Sequence, residues 1–305
     1  METGATLIIF YKYTPVADPA AVVVWQKELC TELGIKGRIL VASEGINGTC
    51  EGSGDAILKY EQEMLKQDGA QCVAADFRNI WFKHSESTGQ SFHGLKVRER
   101  AEIVTLGLGE NDIDPNEMTG THIDPATLKS WIESGEDFEI VDMRNDYEFK
   151  VGHFKNSIHP NLENFRDLPQ ALPHLESIKH KKVLTVCTYG VRCEKASGYL
   201  KSQGFENVYQ LEGGIGTYMK TFPGEDFLGS LYVFDERILE QDAVQYEVVG
   251  VCEVCTSKTE NFTNCAYGEC HKKMLACNAC LEKTPRIFCS DVCEEIITAG
   301  CSKSL

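Results

Sequence analysis

Cys187-Thr188-Tyr189-Gly190-Val191-Arg192-Cys193 follows the apolar run Val183 to Val186 and precedes a helix-like segment, Glu194 to Gln203. The order is strand, tight loop, helix, which marks an α/β domain and puts a thiol at the end of a strand. Backbone N–H groups of such a loop converge on one point, and the following helix adds its positive end. A cysteine at that point is expected as a thiolate near neutral pH. Cys187 is therefore the candidate nucleophile, with Arg192 and Cys193 as its catalytic companions. Thr188, Tyr189, Gly190 and Val191 form the candidate substrate or anion cradle. A buried structural cysteine is the plainer reading, but it needs neither the glycine nor the arginine.

The cradle C-x4-R is smaller than the C-x5-R loop that encloses a phosphate, and it suits a sulfur atom carried on the cysteine. It resembles the loop of rhodaneses, the sulfurtransferases. Upstream, Asp142-Met143-Arg144, Glu148, Gly152-His153-Phe154 and Ser157-Ile158-His159-Pro160 resemble a second rhodanese signature. Two readings of Arg144 stand. In one it reaches the anion in the loop; in the other it ties strand to helix through Asp146 or Glu148. Asp142 reads as structural, and Lys195 lies near enough to the loop to touch a phosphate. Cys193 is either the second thiol of a redox pair or a packed residue in the first turn of the helix.

From Thr121 to Thr221 strand and helix patterns alternate, including a single helix from Leu168 to Ile178, which predicts a parallel sheet with helices on both faces. The reactive loop then sits where open α/β sheets place their ligands, at a strand's C-terminal end. Gly213-Gly214-Ile215-Gly216 reads as the turn into a last helix, not as a dinucleotide fingerprint, and no organic cofactor motif occurs elsewhere. Upstream, Leu7 to Tyr11, Gly37 to Ala42, Ile46 to Glu51, Trp81 to Lys83 and Leu95 to Leu106 read as strands, with helices beginning at Pro19 and Asp55. That βαββαβ order predicts a ferredoxin-like α+β sandwich with one open sheet face. Turn chemistry accounts for Glu44 and Asn47, with contact to RNA as the minority reading. The expected domains are residues 1–107 (ferredoxin-like), 121–222 (rhodanese-like) and 232–305 (cysteine-rich).

The last of these carries Cys252-x2-Cys255, Cys265-x4-Cys270, Cys277-x2-Cys280 and Cys289-x3-Cys293. Paired thiols at such spacings in so apolar-poor a segment favour two structural zinc ions. An all-thiolate set also accepts an iron–sulfur cluster. One arrangement joins Cys252, Cys255, Cys277 and Cys280 on one ion and Cys265, Cys270, Cys289 and Cys293 on the other; spacing alone does not choose it. Cys301 is left as a spare thiol near the end of the chain.

The chain has 14 cysteines in 305 residues, and their metal-like spacings argue for a reducing compartment rather than a disulfide framework. Its N-terminal residues lack the pattern of a secretion signal, and no apolar run reaches the roughly 18 residues that a membrane-spanning helix needs. A cytoplasmic protein without a membrane partner is expected. The formal net charge of −16 argues against broad, non-specific phosphate binding. It leaves room for a local basic strip, with Arg78, Lys83, Lys96, Arg98 and Arg100 as one candidate and Lys179-His180-Lys181-Lys182 as another.

Taken in order, ILVASEGINGTCEG (39–52), FKHSES (82–87), LKVRERAEIVTLG (95–107), VDMRNDYEFKVGHF (141–154), the long run from Cys187 to Ile215, YVFDER (232–237) and the cysteine-rich tail resemble the oxygen-dependent tRNA uridine hydroxylases that contain a rhodanese domain. The resemblance implies hydroxylation of the wobble uridine at carbon 5, with molecular oxygen as co-substrate, the anticodon arm of tRNA as partner and Cys187 as the essential residue. The electron or sulfur donor is not legible. The loop of that family usually reads C-T-G-G-I-R-C, so Tyr189 stands in place of a glycine, where it narrows the mouth or stacks on a base. Met143 stands in place of the threonine usual before Arg144. Persulfide sulfur transfer is the alternative activity, and a zinc-built interaction module with an idle rhodanese fold is a second.

Overall fold

In the computed structural model the described residues are 4–66, 75–235, 237–241 and 247–301, with side chains up to residue 298. Glu236 and the side chain of Cys301 lie outside them. The N-terminal part runs β1 (Ala5–Tyr13), α1 (Pro19–Glu32), β2 (Lys36–Ala42), β3 (Gly45–Ser53), α2 (Gly54–Leu65), β4 (Trp81–Ser87) and β5 (Leu95–Glu99). Asp18 caps α1 by accepting the Ala21 N–H at 3.0 Å, and Ser53 caps α2. The sheet order is β4-β1-β3-β2-β5, antiparallel except for the β2–β5 pair. The first four strands give the expected ferredoxin-like arrangement.

Alternation sorts each strand into two faces. Ile8, Phe10, Ile39, Val41, Ile46, Cys50 and Val97 pack on Val22, Ile57, Tyr60 and Met64 of the two helices. The opposite face carries Ile9, Tyr11, Asn47, Thr49, Arg38 and Leu40, and no helix of this part covers it. The strand expected to reach Leu106 stops at Glu99. Beyond it the N–H groups of Ile103 and Leu106 go to the carboxylates of Glu44 and Glu102, at 2.7 Å each, rather than to a neighbouring strand.

The middle part contains β6 (Thr121–Ile123), α3 (Pro125–Ser134), β7 (Phe138–Asp142), α4 (Asp146–Val151), β8 (Gly152–Phe154), α5 (Leu168–Ala171), β9 (Lys182–Val186), α6 (Val191–Ser202), β10 (Asn207–Leu211) and α7 (Gly214–Thr221). Its four-stranded sheet is parallel in the order β6-β10-β9-β7. Val141, Val183 and Val208 pack on Ala196, Tyr199 and Leu200 of α6, while Ile140, Leu184 and Val186 pack on Leu128 of α3 and Ile215 and Tyr218 of α7. Both faces are thus buried, as the sequence predicts. The single helix expected from Leu168 to Ile178 is instead one α-helical turn followed by a 3-10 segment, Leu172–Ile178, whose Pro173 has no N–H to donate. Helix α4, which sequence reasoning missed, starts in a capping box where Glu148 accepts the Asn145 N–H at 3.0 Å.

The C-terminal part adds β11 (Phe227–Gly229), β12 (Leu231–Tyr232), β13 (Leu239–Glu240), β14 (Phe262–Asn264), β15 (Lys273–Leu275), α8 (Asn278–Lys283) and α9 (Asp291–Cys301). It docks on α4 through Val151, Tyr232 and Leu275, with Tyr147 and Phe262 against them. Among the described residues no helix is long and apolar enough to cross a membrane.

The open sheet face of the N-terminal part lies over the start of α6. Tyr11 donates to Glu194 Oε1 at 3.3 Å, and Tyr13 donates to the Val191 carbonyl at 3.2 Å. Lys195, fully buried, joins Glu44 and Glu102 at 2.8 Å each and Asp112 at 2.6 Å. Lys195 is therefore the ionic pin between the parts, and its ammonium is not presented to a phosphate. The turn residue Glu44 and the linker residue Asp112 find their roles here too.

A thiolate cavity between the sheet and the cysteine loop

Cys187 follows the last residue of β9, and the loop turns through Gly190, whose φ of 98° is left-handed. A Cβ on Gly190 would also stand 2.8 Å from the Tyr11 hydroxyl, so glycine is needed both for the turn and for the close approach of β1. The loop's carbonyls are held away from its centre: Cys187 O accepts the Ile215 N–H and Thr188 O accepts the Gly216 N–H, both at 3.0 Å. Gly214 makes this possible, because a Cβ there would lie 2.6 Å from the Cys187 carbonyl oxygen. The glycine run read as a simple turn thus fixes the orientation of the loop's peptides. With the carbonyls tied off, N–H groups are left to face the thiol, and Gly190 N–H donates to Cys187 Sγ at 3.2 Å.

Burial alone would raise the Cys187 thiol. A hydrogen bond from the Cys193 thiol, the charge of Arg192 and the N–H groups of Cys193 and Arg192 outweigh it and bring the group down to about 6. Cys193 moves the other way: burial, and then its ionised neighbour, push it well above the usual thiol range. Of the two thiols, Cys187 holds the charge.

Arg192 is fixed by a bidentate pair with Glu148, at 2.6 and 2.8 Å, and donates to Thr188 Oγ1 at 3.0 Å. It reaches the thiol by its charge while its donors are spent on the loop. Arg144 sits elsewhere. It is fully buried, paired with Asp142 at 2.7 Å and bonded to the Gly152 carbonyl at 2.6 Å. Neither expectation for it holds, since it meets neither the loop anion nor Asp146 or Glu148. Asp142 is structural, as expected.

Tyr189 is buried and donates to Glu240 Oε2 at 2.8 Å. Lys83 Nζ lies 3.9 Å from the centre of its ring, so that face is not free to stack on a base. Lys83 itself is only 5% exposed, and burial, outweighing Glu240, lowers its ammonium to about 8.

The thiol opens into a cavity of about 310 Å³, a size ordinary for a small-molecule or nucleobase pocket. The loop supplies Cys187, Thr188, Tyr189, Val191 and Arg192 to its wall. The open sheet face supplies Ile9, Tyr11, Arg38, Leu40, Asn47 and Thr49, and Gly48, Phe92, Val104, Phe234 and Asp235 complete it. Sequence reasoning missed nearly all of the sheet's share; the only signal was the open face of the ferredoxin-like pattern. Asn47, read as a turn residue, bonds the Ile103 carbonyl at 3.2 Å and lines this wall.

Of the basic residues singled out, Arg78 is paired with Asp76. Lys179, His180, Lys181 and Lys182 each have an acidic partner, in Glu176, Glu206, Glu139 and Glu136. That second cluster is therefore neutralised. Lys96, Arg98 and Arg100 remain exposed.

In the tail, the thiols of Cys252, Cys255, Cys277 and Cys280 gather in one group and those of Cys265, Cys270, Cys289 and Cys293 in another, with all sulfurs of a group within 4.8 Å of one another. The interleaved arrangement is the one adopted. Cys255–Cys277 and Cys289–Cys293 contacts of 3.6 Å and a Cys270–Cys289 contact of 3.5 Å are too long for disulfides. They approach the edge of about 3.8 Å that a tetrahedron with metal–sulfur bonds of about 2.3 Å requires. Each group fits one metal ion.

Residues 5–103 match the UPF0176 acylphosphatase-like domain, 124–221 the rhodanese-like domain and 228–294 the rhodanese C-terminal domain. A protein of Cytophaga hutchinsonii named tRNA uridine(34) hydroxylase is 40% identical over 289 residues, covering 94% of this chain and 89% of that protein. The chain belongs to the tRNA uridine(34) hydroxylase family. Members bearing the same name in Staphylococcus saprophyticus and Bacillus licheniformis are 43% identical over 88% of this chain and 40% identical over 99% of it, covering 84% and 88% of those proteins. Membership spans all three parts, so the cavity between sheet and loop lies inside the region shared with the family.

Replacing Arg192 with Met should move the pH midpoint of Cys187 alkylation by iodoacetamide upward from about 6. Rates of modification against pH check this. A midpoint that stays put would mean that the loop amides alone ionise the thiol.

Proposed function

We propose that this chain hydroxylates carbon 5 of uridine 34 in tRNA, with molecular oxygen as the oxygen source. The observation that carries the reading is a cysteine held under the loop's N–H groups and beside Arg192, at the base of a nucleobase-sized cavity, in a chain of the tRNA uridine(34) hydroxylase family. An unpaired anticodon base can leave its stack and enter such a cavity, where Tyr11, Phe92 and Phe234 offer aromatic surface. The anticodon arm is the partner, and the cytoplasm, which keeps thiols reduced, is the compartment.

Cys187 adds to carbon 6 of the uracil, which makes carbon 5 enolate-like and able to react with dioxygen. Arg192, held by Glu148, acts through the thiol as a positioning residue. Placing one oxygen atom on carbon 5 and reducing the other to water consumes two electrons and two protons. Oxidation of the Cys187 and Cys193 thiols to a disulfide, after Cys187 leaves carbon 6, supplies both. An external thiol reductant then restores the pair. On this reading the wild-type protein turns over repeatedly when an external thiol is supplied, whereas Cys193→Ser, which cannot close the disulfide, does not; full multiple-turnover hydroxylation by Cys193→Ser would contradict it.

Mass spectrometry of tRNA nucleosides from cells lacking the gene should show loss of 5-hydroxyuridine and its derivatives, restored by the wild-type protein and not by Cys187→Ser. Loss of a thionucleoside instead would turn the reading to sulfur transfer. An unchanged nucleoside profile would leave only an interaction module.

We assign a zinc ion to each thiol group of the tail, where it fixes a segment whose own core is small: Cys252, Met274, Ala276, Cys280 and Ile287. Metal analysis of the purified protein should give two zinc ions per chain, one of them lost in Cys252→Ala. Iron with matching sulfide, or no metal at all, would contradict this.

A further inference from the structure

Two rows of side chains cross the open sheet face. In one, Lys83, Ile9, Thr49, Arg38 and Lys96 are partners from strand to strand; in the other, Trp81, Tyr11, Asn47, Leu40 and Arg98. The middle of each row is the wall of the Cys187 cavity. On the β4 side the first row ends in Lys83, sealed under Tyr189. On the β5 side the rows run out into solvent, and both end in a cation.

We propose that Arg38, Lys96 and Arg98 form a track for the RNA backbone leading out from the mouth of the Cys187 cavity. The inference rests on the tRNA reading above and says where the strand flanking the target nucleotide lies. All three side chains are exposed, and none makes an ion pair among the described residues. What sets them apart is their grouping: in a chain of net charge −16 that supplies carboxylate partners to Lys129, Lys181 and Lys195, among others, these three lie side by side on one sheet face at the cavity rim. Three neighbouring cations gathered beside a cavity, in a chain with excess acid, mark a place where negative charge is expected from outside.

The geometry suits a nucleic-acid strand. Lys96 and Arg98 are two residues apart on one face of β5, about 7 Å, and Arg38 sits beside Lys96 one strand away, about 5 Å. That scale matches successive phosphates of an unstacked strand. Arg38 also lies 6.0 Å from the centre of the Phe92 ring, so guanidinium and ring form one platform at the cavity rim. A base held against Cys187 leaves its own phosphates at this rim. Hence the polyanion the track fits is the one whose base the cavity takes, rather than an acidic protein.

The test uses the full-length, metal-loaded protein and a synthetic anticodon stem-loop RNA containing uridine 34, with binding followed by fluorescence anisotropy across a salt series. Lys96→Gln with Arg98→Gln should weaken binding roughly tenfold at about 0.1 M salt and lower the slope of log affinity against log salt by about 1.4, the share of two single-strand phosphate contacts. Lys181→Gln, at the opposite end of β9 and paired with Glu139, removes the same kind of charge and should change neither. The iodoacetamide rate of Cys187 should match wild type in both variants, which separates a lost track from a damaged loop. If the double variant binds RNA with wild-type affinity and salt slope while the wild type hydroxylates tRNA, the track is wrong and the activity stands. A wild-type protein that neither binds the stem-loop nor hydroxylates tRNA overturns both.

Discussion

A loop can hold negative charge only if its carbonyl oxygens point somewhere else. Here the N–H groups of Ile215 and Gly216 take the carbonyls of Cys187 and Thr188. The start of α7 thereby turns the Cys187 loop's amides inward, and the buried Arg192–Glu148 pair holds that geometry from the other side. Removing either partner would leave the other charged and uncompensated in the interior, a loss of about 3–5 kcal/mol. The cost of burying an ionised thiol is thus met by groups that already have no freedom to turn away.

The same loop explains why the N-terminal sheet is needed. Cys187 at a strand end would otherwise face solvent, where its nucleophilicity has no selectivity. Tyr11 and Tyr13 bring the open sheet face onto α6, and Lys195 with Glu44, Glu102 and Asp112 pins it there. What results is a walled space with aromatic edges above the sulfur. The proposed uridine chemistry rests on this juxtaposition.

Much of this was legible in the sequence, and the reason is locality. The Cys187 loop is contiguous, its neighbours are fixed by strand and helix patterns, and the cysteine pairs of the tail announce themselves by spacing. The rest depends on direction and distance, which spacing does not encode. Arg144 and Lys195 are close to the loop in sequence or fold, yet their side chains leave it, the first for Asp142 two residues back and the second for three carboxylates of the N-terminal part and the linker. The sheet wall of the cavity comes from single residues at alternate positions on β1, β2 and β3, and of these only Asn47 stands out in its own segment, where it reads first as a turn residue. Tyr189 reads as narrowing the mouth or stacking on a base; it lines the cavity, but Lys83 covers its ring and Glu240 takes its hydroxyl, partners 106 and 51 positions away in the chain.

The central claim is that the Cys187 sulfur bonds to carbon 6 of the target uracil. Its most direct test is an anticodon stem-loop carrying 5-fluorouridine at position 34, incubated with the protein and resolved under denaturing conditions. A covalent protein–RNA species mapped by mass spectrometry to Cys187, and absent from Cys187→Ser, is the predicted result. No covalent species with a stem-loop that binds normally, or one mapped to another residue, would contradict it.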